Sequence, residues 1–161
     1  MLTTAATPAQ MHALGAALAT VLRAGDLVVL TGPLGAGKTA LTQGIGAGLG
    51  VCGDVLSPTF VIARVHPPDP ERGGSLALVH ADAYRLAGRL EVDDLDLDAD
   101  LASSVTVVEW GAGVVEQLSP VRLEITISPD PVSGRRELEL TAVGGDWEQR
   151  LVQLHGRLPV V

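Results

Sequence analysis

Several things are scarce in this sequence, and each scarcity closes off a class of protein. There is one cysteine, Cys52, so no intrachain disulfide can form, and a reducing cytoplasm is the expected compartment. Aromatic residues make up 2% of the chain, which removes the stacking platforms that hold single-stranded nucleic acids. No apolar run reaches the roughly 20 residues of a membrane span, and the opening MLTTAATPAQ lacks the basic and apolar regions of a signal peptide. A soluble protein that binds no membrane is expected. Positive charge is in deficit: the formal net charge is −8. That balance opposes a broad nucleic-acid footprint, so DNA is not an expected partner and any RNA would be met through another protein.

Lysine is the scarcest charged residue. Lys38 is the only one, and the other ten basic residues are arginines. Arginine serves wherever a solvated charge suffices, whereas a compact ammonium is needed at a crowded phosphate. The lysine falls in LVVLTGPLGAGKT, residues 27–39, an apolar run that stops at a glycine-rich turn. Gly32, Gly37, Lys38 and Thr39 occupy the fixed places of G-x-x-x-x-G-K-[ST], a loop whose backbone N–H groups curve around a phosphate. Gly35 and Ala36 inside the loop, and Ala40 just after it, are nucleotide-binding candidates with them.

The 161 residues fit one domain able to bury a sheet-based core. Thr7 and Pro8 read as N-cap and first position of a helix whose stripe of Met11, Leu14, Leu18, Val21 and Leu22 runs to Gly25 and packs on a sheet. Strands are expected over 27–31, 76–80 and 105–108, in FVIARVH, and as a short piece near Val55. The helix after the loop carries Gly44, Gly46 and Gly48. Each costs about 1 kcal/mol against Ala, so an anion bound at its N-terminus or close packing of a small-residue face on the sheet is expected to hold it, packing being the better account of the glycines. The acidic stretch EVDDLDLDADL suggests one or two helical turns, and a short helix is expected to run to Gln117. Residues 121–128 and 136–142 alternate apolar and polar around PDPVSG and predict an antiparallel pair, followed by a helix capped by Asp146 and ending near Leu154. The fold class is α/β: a P-loop NTPase-like three-layer sandwich, mostly parallel, with a C-terminal antiparallel hairpin.

Hydrolysis at a phosphate loop needs a metal and a group that orients water. Thr39 supplies the hydroxyl that such loops offer to Mg²⁺. Asp82 and Glu109 follow apolar runs and stand at strand C-termini, where open α/β sheets bind ligands. Two carboxylates packed together repel, and a divalent cation relieves that repulsion. Lys38, Asp82 and Glu109 are therefore the catalytic candidates, and Thr39, Asp82 and Glu109 the metal candidates.

GPLGAGKT, SPTF, HADAYRL and VVEWG follow one another as in the TsaE (YjeE) family, which the chain resembles over nearly its whole length. The resemblance implies an ATPase, stimulated by its partners, that docks on the TsaB and TsaD proteins and supports threonylcarbamoyladenosine formation at position 37 of tRNA, meeting tRNA only through that complex. It implies a switch-I-like segment with Ser57 and Thr59, and a switch-II-like segment with Asp82, Tyr84 and Arg85. Glu109 would be the acidic residue of the Walker B strand. Trp110 would lie beside the nucleotide, with Thr7 and Arg135 brought towards its base. An ordinary N-cap and a surface arginine are the alternative readings of those last two. EWGAG and the insert PPDPERGG depart from the family pattern and touch the partner-facing loops more than the chemistry. A small-molecule kinase, or a nucleotide-dependent binding module with incidental hydrolysis, are the alternative functions.

Overall fold

A computed structural model describes residues 1–56, 63–82, 102–110 and 119–158. Ser57, Thr59, Tyr84 and Arg85, the acidic stretch 91–101 and the helix expected up to Gln117 lie outside the described residues. The helices are α1 (Pro8–Ala19), α2 (Lys38–Leu49) and α3 (Trp147–His155). The strands are β1 (Leu2–Ala5), β2 (Leu27–Thr31), β3 (Ala63–His66), β4 (Ala77–Asp82), β5 (Ser104–Glu109), β6 (Arg122–Pro129) and β7 (Arg136–Val143).

These strands form one sheet in the order β1-β7-β6-β2-β5-β4-β3. The four central strands, β6, β2, β5 and β4, are mutually parallel. Antiparallel strands close both flanks: β3 on β4, β7 on β6, and β1 on β7. The α/β class and the C-terminal hairpin are as the sequence predicts. The burial of each strand follows its place. LVVLT of β2 and SVTVVE of β5 are buried along almost their whole length, as central strands covered on both faces must be. β6 instead alternates in burial, and its residues Leu123, Ile125 and Ile127 enter the core.

One hydrophobic cluster joins alternate residues of the sheet, among them Val28, Leu30, Val105 and Val107, to Met11 and Leu18 of α1, Leu41 and Ile45 of α2, and Trp147 and Leu154 of α3. The opposite face of the central strands is buried too, with Val29, Val79 and Val108 at 3%, 0% and 2% exposure, as a layered sandwich requires. Among the described residues no helix is long and apolar enough to cross a membrane.

Four expectations change. The glycines of α2 do not all face the sheet. A Cβ on Gly44 would collide with the backbone carbonyl of His12, and one on Gly48 would lie 2.6 Å from Ala19 Cβ, so both face α1. Gly46 alone of the three looks towards Val51, Val55 and Leu78. Gly15 completes the seam from the α1 side, where a Cβ would strike Leu41 O. The two helices meet backbone to backbone, and the propensity lost at each glycine is offset by that approach. Second, α1 ends at Ala19, with Val21 and Leu22 buried in the turn beyond it. Third, Val55 is buried but lies in no strand. Fourth, Asp146 holds the N-cap position of α3 without a side-chain cap bond. Its carboxylate instead pairs with Arg23 at 2.7 Å and Arg150 at 2.8 Å. β1 was not expected, because LTTA is too short and too exposed to show a period.

Gly44→Ala should destabilise the protein by roughly 1–3 kcal/mol, the usual cost of overpacking, although alanine gains about 1 kcal/mol in helix propensity. Urea denaturation measures the sum, and a variant as stable as the wild type would contradict the close α1–α2 approach.

Candidate functional site

The parallel register sets the site before any side chain does. Leu30 of β2 pairs with Glu109 of β5, and Glu109 with Asp82 of β4, so three strand ends stop at one level. The chain leaving β2 must turn back at once into α2, and the glycines make that turn. A Cβ on Gly32 would lie 2.6 Å from Ile127 O, which seats the loop on β6. Gly37, at φ 106°, is the N-cap of α2 in a conformation that L side chains rarely adopt. Ala36 N donates to Pro33 O at 3.1 Å and tightens the turn over a buried Ala36 side chain. With no side chain at the cap, the N–H groups of Lys38, Thr39 and Ala40 open α2 without intrahelical acceptors. A row of such donors at a helix N-terminus suits an anion.

Lys38 is buried at the centre of this curve. Its ammonium donates to Gly32 O at 2.8 Å and Pro33 O at 3.1 Å, and lies 4.1 Å from the centre of the Trp110 ring. Burial pushes the lysine below its ordinary value, while the carboxylates of Glu109 and Asp82 pull it back up. Trp110 follows β5 with a left-handed backbone, φ 61°, unusual for a residue with a side chain. Its N–H donates to Leu30 O at 2.9 Å, which ties that turn to β2. Glu109 is buried, with Oε1 at 2.9 Å from His80 Nε2 and 3.5 Å from Thr39 Oγ1. Asp82 is half-buried beside it on β4.

Lys38, Thr39, Asp82, Glu109 and Trp110 thus share one end of the sheet with the loop from Gly32 to Ala40. Thr7 and Arg135 do not join them through any hydrogen bond among the described residues. Thr7 Oγ1 accepts from Gln10 N at 3.1 Å as an ordinary N-cap, and Arg135 is an exposed residue of the β6–β7 turn. Sequence reasoning missed His80. The signal was its place two residues before Asp82, which puts both side chains on one face of β4. Among the described residues no group of three or more His, Cys, Asp or Glu side chains could hold a metal ion by itself. A cation here would draw on Thr39, Glu109 and Asp82 and take its remaining oxygens from ligand and water, the habit of Mg²⁺.

The sequence profile of a family described as threonylcarbamoyl adenosine biosynthesis protein TsaE matches residues 5–138. The chain belongs to the TsaE family. A Streptomyces coelicolor relative named tRNA threonylcarbamoyladenosine biosynthesis protein TsaE is 55% identical over 85% of this chain and 93% of its own length. A protein of the same name from Bacillus subtilis is 37% identical over 91% of this chain and 89% of its own. Among solved structures, a crystal structure of Bacillus subtilis YdiB superposes with a TM-score of 0.79 at 31% identity, covering 98% of this chain and 95% of that one. The segment matched to the TsaE family includes the loop, Asp82, Glu109 and Trp110.

β3, beside β4, carries a second buried histidine at the level of Leu78. His66 is diagonal to His80 across the β3–β4 pairing, and its Nε2 has no hydrogen-bond partner among the described residues. Burial holds His66 below its ordinary 6.5, and the neighbouring His80 and Arg64 push the same way. Folding therefore opposes its protonation. The stability at stake is whole above pH 6.5 and is lost as the pH falls through the depressed folded value. His66→Leu should lose less unfolding free energy than the wild type between about pH 6.5 and about pH 5. Parallel urea curves at both pH values measure this, and equal losses would contradict the assignment.

Proposed function

We propose that this TsaE-family chain is a Mg²⁺-dependent ATPase of the cytoplasm. In this reading it docks on the TsaB and TsaD proteins and hydrolyses ATP in support of threonylcarbamoyladenosine formation in tRNA. The observation that carries the ATPase reading is the meeting of a glycine-turned loop, a single buried lysine and the Thr39–Glu109 contact at one end of the sheet. Family membership supports the place in threonylcarbamoyladenosine biosynthesis, and TsaB and TsaD are proposed as partners from the motif resemblance.

Each residue has a task in this reading. The N–H groups from Gly35 to Ala40 receive the phosphates, as loops of this pattern do. Lys38 leaves the carbonyls of Gly32 and Pro33 to neutralise phosphate charge, and its ammonium is exchanged from one set of acceptors to a better one. Trp110 lies against that ammonium and registers its departure in its fluorescence. Glu109 and Asp82 stand at neighbouring strand ends, where a carboxylate can orient a water and accept its proton. When bound, Mg²⁺ would neutralise charge developing on the phosphate oxygens, with Thr39, Glu109 and Asp82 as its protein-side holders.

Lys38→Ala should weaken ATP binding roughly 10–100-fold, the loss expected for a hydrogen bond to a charged group. Glu109→Ala should bind ATP and lose turnover by about 10²–10⁴-fold. Calorimetric titration with ATP and phosphate release measure the two. Unchanged affinity in the first, or undiminished turnover in the second, would reject the assignment. The wider role is tested by reconstituting tRNA modification from TsaB, TsaD and the enzyme that forms the carbamoyl-adenylate, with and without this protein. Dependence over multiple turnovers is expected, and modification that proceeds equally well without it would overturn the role.

A further inference from the structure

His80 is completely buried in β4, and its register partner on β5 is Val107, two residues before Glu109. The histidine and the glutamate are therefore diagonal neighbours on one sheet face, close enough for two long side chains to meet. They do, through Nε2 and Oε1 at 2.9 Å. The other ring nitrogen, Nδ1, is buried with no hydrogen-bond partner among the described residues. A histidine serving only as packing carries an avoidable penalty in that state, since a buried unpaired polar atom costs about 1–3 kcal/mol. All of the polar capacity this ring uses goes to one carboxylate oxygen.

An ionised carboxylate only accepts hydrogen bonds, so the proton between the two groups belongs to Nε2. Glu109 Oε1 also receives the longer contact from Thr39 Oγ1, at 3.5 Å. Both contacts fall on the same oxygen, and neither engages Oε2. A glutamate at a strand end has three rotatable bonds, and it needs such a partner to hold one orientation.

We infer that His80 is a positioning residue for Glu109: its Nε2–H pins the carboxylate through Oε1 and leaves Oε2 for the water or cation used in hydrolysis. The inference rests on the hydrolytic reading of the site. It assigns His80 no contact with nucleotide and no proton transfer. Partners that hold a ligating carboxylate in this way are typically worth about 10–100-fold in activity or metal affinity.

Three substitutions separate positioning from packing. His80→Gln keeps an N–H at about the reach of Nε2, His80→Asn shortens that reach, and His80→Leu keeps bulk without a donor. Turnover of ATP should fall about 10–100-fold in the Asn and Leu variants, with KM and the Trp110-detected nucleotide affinity unchanged, and the Gln variant should recover most of the loss. Equal turnover in all three, or a Gln variant no better than Leu, would overturn the inference. A second measurement needs no activity and leaves His80 itself in place. Nitrogen-15 NMR of the wild-type imidazoles should show His80 protonated at Nε2, with signals that move in Glu109→Ala. A ring protonated only at Nδ1, or one indifferent to Glu109→Ala, would overturn the contact itself. A wild-type protein that hydrolyses no ATP with its partners present would defeat the hydrolytic reading and the use of Oε2, while the NMR result still decides whether His80 holds Glu109.

Discussion

The parallel pairing of β5 between β2 and β4 is the constraint on which the site depends. Leu30, Glu109 and Asp82 are register partners across those three strands. A slip of one residue would turn Glu109 to the opposite face and carry it away from Lys38, because side chains alternate along a strand. The slip is opposed by the core itself: Val105 and Val107 of β5 belong to the same cluster as Val28 and Leu30 of β2. The hydrophobic pattern that holds the sheet together therefore also delivers the carboxylate to the glycine-rich loop.

The loop adds the opposite charge at the same level. Lys38 is held inside the curve by two carbonyls and a tryptophan face, with Glu109 and Asp82 supporting its charge from the neighbouring strands. α2 can begin there only because Gly37 takes a left-handed cap, and it can lie close to α1 only because Gly15, Gly44 and Gly48 lack side chains along the seam. Glycine is thus used for two unrelated ends in one short stretch, a turn at the start of the helix and a close approach along its length. The helix carries the cost of both.

Much of this was legible in the sequence, and for physical reasons. The β2 strand, the loop and the start of α2 follow from an apolar run, spaced glycines and a lone lysine. The alternation of β6 and β7 announced a hairpin with one buried face, and the order of the short motifs announced the family that the profile match then showed. What escaped was decided by tertiary neighbours. Nothing within α2 tells whether Gly44 faces a sheet or another helix. Asp146 looks like a cap until Arg23 arrives from a distant part of the chain and Arg150, one turn along α3, takes its other oxygen. LTTA is a strand only because β7 offers it an edge. His80 stands in the sequence as the end of a strand and the start of HADAYRL with no role of its own, and its contact with Glu109 exists only once β4 lies beside β5.

The proposed reading, a Mg²⁺-dependent ATPase, uses all of these features together: the open helix N-terminus, the buried ammonium, the carboxylates at neighbouring strand ends and the histidine hydrogen-bonded to one of them. Its central claim concerns where Lys38 goes when ATP arrives. A crystal structure with Mg²⁺ and a non-hydrolysable ATP analogue tests that most directly. Phosphates are expected against the N–H groups of the loop, with Lys38 Nζ moved from the carbonyls of Gly32 and Pro33 onto phosphate oxygens. A nucleotide bound elsewhere, or a lysine still resting on those carbonyls, would contradict it.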